Sequence, residues 1–365
     1  MEQYQHEEEA TNIPEKTYDI SKYNHRNIIA SKYVFEKKIG KGSFGCIYRG
    51  LNIITQEKVA IKYEATTCAQ PTLLWESKIL NHLSGIPGVV KLRYFGTESN
   101  KNIIVMDLFS HTLAEEVAML KKEAKIGNEN SDNNSSAGSS SNSGNGSECC
   151  ISDSEHERSY SDEMSDAQHQ YENIYYRYYI NDVLKYMISI VEIIEKIHEK
   201  GVIHRDIKPE NFMIAQAQAQ LHDHNPVKKL HIIDFGLSRI YIKDGAHIPN
   251  KPNSSIVGTM RYISTYIHEG NVYSRRDDII SILYVIIYLL KGRLPWCGLK
   301  TSAGDKRTKA EIVYEMKKIT PIPMLCNGLP AIFERMLTYA YKIEFDEKPD
   351  YIYLKRLCKK ELGSV

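Results

Sequence analysis

Between Tyr33 and Lys62 the apolar residues fall in short runs around glycines, YVFEKKIG, GCIYRGL and KVAIKY, the spacing of strands joined by tight turns. A helix is predicted over Pro71–Leu83, with Pro in the first turn, where its missing N–H is harmless. KNIIVMDLF then reads as a short apolar strand and LAEEVAMLKKEAK as a polar helix. From Asn181 to Lys200, Val183, Leu184, Met187, Ile190, Val191, Ile194 and Ile197 form a helical stripe, with Gly201 where a C-terminal cap belongs. VIHRDIKPENFMI and KKLHIIDFGL read as short strands and loops, and the chain from Asp278 onward as mostly helical. The run Ile279–Leu290, 12 residues between Asp277-Asp278 and Lys291, is too short to span a bilayer and predicts a buried helix. A small strand-rich piece followed by a larger helical one predicts two lobes with a cleft between them.

Two stretches break this pattern. Residues 127–170 are dominated by Ser, Asn, Gly and acidic side chains (SDNNSSAGSSSNSGNGSE), too little apolar area to offset chain entropy, and read as a disordered insert. Residues 1–30 are polar, without periodicity, and read as a flexible extension. The insert carries nine acidic residues against Arg158 alone, and the extension six against three basic ones; the overall +1 therefore hides an excess of +12 in the rest of the chain. The overall balance of 47 basic and 46 acidic residues excludes a uniformly basic nucleic-acid binder and an acidic solvating protein. The 7 cysteines include no CxxC pair, which suggests neither a disulfide framework nor a zinc ribbon and fits a reducing compartment. Glu2, Glu7, Glu8 and Glu9, with no apolar run, do not read as a secretory leader, so a soluble intracellular protein is expected.

Several residues carry chemistry. Gly40, Gly42 and Gly45 give G-x-G-x-x-G, a spacing that lets backbone N–H groups approach phosphates. Another strand follows, beginning near Ile47, which favours a hairpin lid over a dinucleotide-binding turn. Lys62 ends the strand VAIK, while Glu76 shares a helix face with Leu73, Leu80 and Leu83. A carboxylate in an apolar stripe needs a partner, and Lys62 is the natural one. HRDIKPEN places Lys208 two residues and Asn211 five residues after Asp206, offering a proton acceptor, a charge clamp and a metal ligand in one loop. Asp234 opens DFG at the end of the apolar run LHII, well placed to hold Mg²⁺ over phosphates.

In this order the motifs resemble a eukaryotic protein kinase, and LLWESKILNHLSGIPGV, VGTMRYIS, SRRDDIISILYVIIYLLKGRLPWCGLK, PIPMLCNGLP and FDEKPDYIYLKRL resemble its casein kinase 1 group. The resemblance covers about residues 30–125 and 172–358. It implies an α+β bilobal fold spanning 31–360: a small antiparallel N-lobe with one main helix (about 31–107) and a larger helical C-lobe (about 108–360). It implies a Ser/Thr protein kinase using ATP and Mg²⁺ on acidic or phosphorylated protein segments, monomeric, cytoplasmic or nuclear. By the resemblance, Gly40, Gly42 and Gly45 cover the phosphates, Lys62 holds them and Glu76 orients Lys62. Asp206 takes the substrate hydroxyl proton with Lys208 beside it, Asn211 and Asp234 hold the metal, and Thr259 bridges Asp206 and Lys208. Ile39, Ile47, Ala60, Met106, Asp107, Leu108, Met213 and Ile233 would surround the nucleotide, and Arg261, Gly292 and Lys300 would form a substrate anion site.

The chain departs from the group at three places. Ser264-Thr265-Tyr266 replaces a Ser-Ile-Asn element, Ser254 stands where a basic residue is usual, and Leu283 stands where kinases commonly have Gly. A kinase-like scaffold that binds phosphorylated partners is the rival reading, with a small-molecule kinase behind it. His222, Asp223 and His224, near His231, read as part of an expanded hairpin loop after AQAQAQ more readily than as a metal cluster. Acidic serines such as Ser165 leave two readings of the insert, a passive loop or a tethered acidic competitor tightened by autophosphorylation.

Overall fold

β-branched and aromatic residues pair into an antiparallel sheet in the smaller of two compact units, Met1–Leu73 with Leu92–Leu108. The computed structural model describes residues 28–41, 45–122, 179–215, 228–251, 255–299 and 307–363. Strands β1 (Ile28–Ile29), β2 (Tyr33–Lys41), β3 (Cys46–Asn52), β4 (Lys58–Ala65), β5 (Leu92–Glu98) and β6 (Lys101–Asp107) lie in the order β1-β2-β3-β4-β6-β5. Central β4 is paired on both sides, with Ile47 opposite Lys62, Lys62 opposite Ile104 and Ala60 opposite Met106. Because side chains alternate, Val59 and Ile61 join Ile29, Tyr33, Ile103 and Val105 in the core of one face, and Phe35, Tyr48, Tyr63 and Tyr94 pack against it. The other face carries Ile47, Ala60, Lys62 and Met106.

Helix α1 (Leu73–His82) starts two residues after Pro71, which therefore precedes the helix instead of lying in its first turn. The start is fixed by Glu64, whose buried carboxylate accepts from Thr72 N (2.9 Å), Leu73 N (3.1 Å) and Asn102 Nδ2 (3.2 Å). An anion at the positive end of the helix thus caps it from another strand, with Thr72 at the N-cap position. From Leu74 onward α1 belongs to the larger unit, where Trp75 Nε1 donates to Ser238 O (2.8 Å) and His82 bonds to Lys200 O (2.8 Å).

The larger unit comprises Leu74–Lys91 and Phe109–Val365. Short strands β7 (His111–Thr112), β8 (Val202–Ile203), β9 (Phe212–Ile214), β10 (Leu230–Ile232), β11 (Arg239–Ile240), β12 (Ile242–Lys243) and β13 (Ala246–His247) pair antiparallel in three small sheets. Among the helices, α2 is described over 113–122 and α3 over 179–199, and every member of the predicted α3 stripe is buried. After the four-residue α4 (Thr265–His268), α5 (Arg275–Lys291) runs through the core with Ile279–Ile287, Leu289 and Leu290 buried, and Gly292 closes it. Leu283, at the glycine position of the resemblance, is fully buried there. Helices α6 (Lys309–Ile319), α7 (Ile322–Cys326), α8 (Ala331–Ala340) and α9 (Tyr351–Leu362) complete the unit. Among the described residues no helix is long and apolar enough to cross a membrane.

One buried carboxylate ties several of these elements. Glu116 on α2 accepts from His111 Nε2 (2.6 Å) in β7, from Tyr186 OH (2.9 Å) on α3, and from Lys228 Nζ (2.9 Å) ahead of β10. The last residues of the predicted flexible extension are instead ordered, Ile28–Ile29 pairing with β2 and Ile29 entering the core. Residues 1–27, the insert with Cys149, Cys150 and Ser165, and His222, Asp223, His224 and Ser254 lie outside the described residues.

Candidate active site

Asp206 is buried in the loop after β8, and each carboxylate oxygen has its own donors. Thr259 Oγ1 donates to Oδ1 (2.7 Å), while Lys208 Nζ (2.5 Å) and Asn211 Nδ2 (3.3 Å) donate to Oδ2. Asn211 Nδ2 also donates to Asp206 O (2.8 Å), closing the loop on itself. Thr259 thus reaches Asp206 directly, and Lys208 meets the same carboxylate from its other side. An ionised carboxylate held among donors in this way can still accept a proton from a hydroxyl brought to it.

The loop backbone is shaped by a carboxylate 72 residues further on. Asp278, on the first turn of α5 and fully buried, accepts from His204 N (2.7 Å), Arg205 N (3.0 Å) and His198 Nε2 (3.0 Å). These bonds hold Arg205 in the left-handed region at φ 68°. Burial alone would raise the Asp278 pKa; the bonds it accepts from His198 and from the His204 amide bring it below the usual carboxylate range. Burial lowers the His198 pKa against the pull of Asp278, so the imidazole is neutral, donating from Nε2 and accepting from Tyr351 OH (2.7 Å) at Nδ1. Opposite this loop lies Gly258, at φ 95°, where an added Cβ would come within 2.4 Å of Arg205 O. Only glycine allows the chain carrying Thr259 to pass so close to the loop carrying Asp206.

Asp234 follows β10 with a left-handed backbone (φ 65°) at the head of a short turn, Phe235–Leu237. Ile233 N donates to Asn211 O (2.9 Å), which brings the segment entering Asp234 beside Asn211. Asn211 directs its amide nitrogen at Asp206, so its oxygen Oδ1 is the end that can face a cation. A carboxylate and an amide oxygen are hard donors that suit a divalent ion such as Mg²⁺.

In the smaller unit Gly40 pairs with Ile47, and Ile39 is exposed at a bulge. Gly45 has a second reason to be glycine, since an added Cβ would lie 2.0 Å from Tyr63 O, so the hairpin itself could not close. Lys62 is buried on the same sheet face as Ile47, Ala60 and Met106. Asp107 ends β6 with its carboxylate on Arg93 Nε (2.7 Å), and Leu108 follows it. Glu76, Met213 and Ile233 belong to the larger unit, where Glu76 is fully buried on α1 and Met213 pairs with His231. Gly42 lies outside the described residues.

A family model for the protein kinase domain matches residues 33–133 and 156–340. The chain belongs to the protein kinase family. Its members use ATP and a divalent metal to phosphorylate proteins, chemistry carried by positioning and charge.

In this kinase the Ser264-Thr265-Tyr266 element has its own anchor. Ser264 Oγ donates to Asp277 Oδ1 (2.5 Å), the Tyr266 ring lies 3.7 Å from the Arg276 guanidinium, and Tyr266 OH donates to Tyr341 O (2.9 Å). An arginine–tyrosine stack therefore stands where the resemblance expects an asparagine. Arg261 is partly exposed, with its guanidinium 5.1 Å from the Tyr288 ring and 5.6 Å from that of Tyr262. Gly292 has Lys121 nearby, Nζ lying 4.0 Å from where its Cβ would be, and Lys300 lies outside the described residues. Sequence reasoning missed Asp278, His198 and Gly258. A carboxylate opening a wholly apolar helix was the available signal for Asp278; for His198, inside an ordinary stripe, there was none.

Proposed function

We propose that this kinase is a serine/threonine kinase of the casein kinase 1 type, moving the γ-phosphoryl group of ATP to Ser or Thr in acidic or already phosphorylated protein segments. The observation that carries the Ser/Thr reading is the clamp on Asp206, with Lys208 on one carboxylate oxygen and the Thr259 hydroxyl on the other. Asp206 orients the substrate hydroxyl and takes its proton, and Lys208 balances the charge that develops beside it. Asn211 and Asp234 would hold Mg²⁺, which when bound supplies positive charge against the phosphate oxygens. By the kinase resemblance, Lys62, Gly40, Gly42 and Gly45 would contact the phosphates and Glu76 would serve to orient Lys62. By the same resemblance, Ile39, Ile47, Ala60, Met106, Asp107 and Leu108 of the smaller unit and Met213 and Ile233 of the larger would be the residues that meet the adenine.

The substrate preference rests on Arg261, Gly292 and Lys300 as an anion site, supported by the +12 charge excess outside the two acidic segments. Stacked tyrosines keep the Arg261 fork in place without neutralising it. The test is γ-phosphate transfer to paired peptides, one with phosphoserine three residues before the target serine and one unmodified, with Asp234→Asn as the blank. Transfer selective for the primed peptide is expected. Unselective transfer removes the anion site and keeps the kinase. Bound ATP without transfer turns the reading to the phosphoprotein-binding scaffold.

A further inference from the structure

Residues 259–263 carry Thr259, which meets Asp206, and Arg261, which faces outward as the proposed anion ligand. Within the segment Tyr262 N and Ile263 N both donate to Thr259 O, at 2.8 and 3.2 Å. Its carbonyls are held from elsewhere. Lys317 Nζ on α6 donates to Met260 O (2.8 Å) and Ile263 O (2.6 Å), and Trp296 Nε1 donates to Arg261 O (2.8 Å). The remaining donor of Lys317 faces His268 Nε2 at 3.4 Å, and Nζ lies 5.3 Å from the ring centroids of both Tyr284 and Trp296. Three acceptors and two aromatic faces suit the three donors of an ammonium.

Lys317 shares the inner face of α6 with Val313, one turn earlier, and is just as buried. A leucine or methionine would fill that place without the desolvation cost of a charge. That cost is visible: burial pushes the Lys317 ammonium down to about 7. Burial first, and then the Lys317 charge, push the His268 imidazole down to about 4, so it remains an acceptor. What the lysine provides in exchange is a clamp on two carbonyls flanking Arg261, with Trp296 holding the carbonyl between them.

We propose that Lys317 is a positioning residue for phosphoryl transfer, fixing segment 259–263 so that Thr259 reaches Asp206 and Arg261 presents its charge to the substrate. The proposal rests on the kinase reading above and adds to it a group that acts through Met260 and Ile263. Lys317 also lines a cavity of about 220 Å³, with Thr265, Glu269, Leu325 and Leu337 among its walls, so the bulkier arginine has room there.

The test uses the full chain with Lys317→Met, Lys317→Arg and Trp296→Phe, measuring peptide and ATP kinetics together with amide hydrogen exchange at Tyr262 and Ile263. Lys317→Met is expected to raise KM for the primed peptide about tenfold and to lower kcat, while KM for ATP stays within about twofold. Lys317→Arg should recover most of both, and Trp296→Phe should shift them in the same direction by less. Exchange at Tyr262 and Ile263 should quicken about tenfold in Lys317→Met and stay near wild type in Lys317→Arg. Equal rises in both KM values, or a lowered melting temperature with peptide kinetics unchanged, would assign Lys317 to packing alone and overturn the proposal. Should Lys317→Met not fold, Trp296→Phe decides, because unchanged exchange and peptide KM there refute the clamp. If the wild-type protein transfers no phosphate, the kinase reading fails separately, and unchanged exchange in the variants would still sink the clamp.

Discussion

Two buried carboxylates, Asp278 and Glu116, solve the same desolvation problem with different partners. Asp278 takes two of its bonds from backbone amides, those of His204 and Arg205, and one from His198. Glu116 takes all of its bonds from side chains, those of His111, Tyr186 and Lys228. A carboxylate bonded to consecutive amides dictates the conformation of a chain, here the left-handed turn at Arg205 that leads into Asp206. One bonded to side-chain tips joins elements but leaves each backbone its own shape. Loss of the first should cost function and stability together, and loss of the second stability alone.

The comparison breaks most directly at Asp278. Asp278→Ala leaves two buried amides and an imidazole without an acceptor, and should lower stability by about 3–5 kcal/mol while phosphate transfer falls far below the wild-type rate. Denaturant melts beside single-turnover assays read both, and a variant active at wild-type rate would end the claim that Asp278 shapes the loop. Gly258→Ala attacks the same loop from the opposite side, and strain at φ 95° with a Cβ against Arg205 O should cost about 1–3 kcal/mol and depress kcat more than KM for ATP.

Glu116→Gln should cost about 1–2 kcal/mol with kcat/KM for peptide within about twofold of wild type. Its pH dependence sharpens the contrast. Burial would raise the Glu116 pKa, but bonds from Lys228, His111 and Tyr186 outweigh it and hold the group below its ordinary value of 4.5. A depressed folded pKa gives stability that is present above 4.5 and lost as pH falls through the lower folded value. The gap in melting temperature between wild type and Glu116→Gln should therefore close on acidification below that point, and a gap that widened would contradict the ionised hub. The smallest effect is expected from Arg276→Lys, which exchanges the flat stack on Tyr266 for a point charge and should cost about 1 kcal/mol in thermal melts.

What the sequence made legible follows the range of the forces involved. The α3 stripe and the apolar α5 run show their burial through local periodicity, and the Asp206 loop shows its chemistry because Lys208 and Asn211 sit within five residues of it. The alternating strands around Lys62 and the helical remainder likewise gave the α+β architecture. Asp278 and Lys317 stayed hidden because their partners lie 74 and 57 residues away, a separation that periodicity does not sample. Pro71 was misplaced for a related reason, since the cap that starts α1 comes from Glu64 across a turn. Gly45 was recognised, but as a phosphate-facing glycine; its steric contact with Tyr63 O depends on a neighbouring strand and could not be read from spacing.

The Glu116 hub has a practical consequence for engineering. Glu116 itself sits on α2, which is described to residue 122, and its partners are His111 on β7, Tyr186 on α3, which is described from residue 179, and Lys228. The points where the chain departs after α2 and returns at α3 are therefore fastened to one another whatever sequence joins them. Because closing a loop costs only about 0.6 kcal/mol more for each doubling of its length, the stretch between those points is a socket. A reporter domain or an affinity handle spliced there would be carried by the hub, leaving the loop shaped by Asp278 undisturbed.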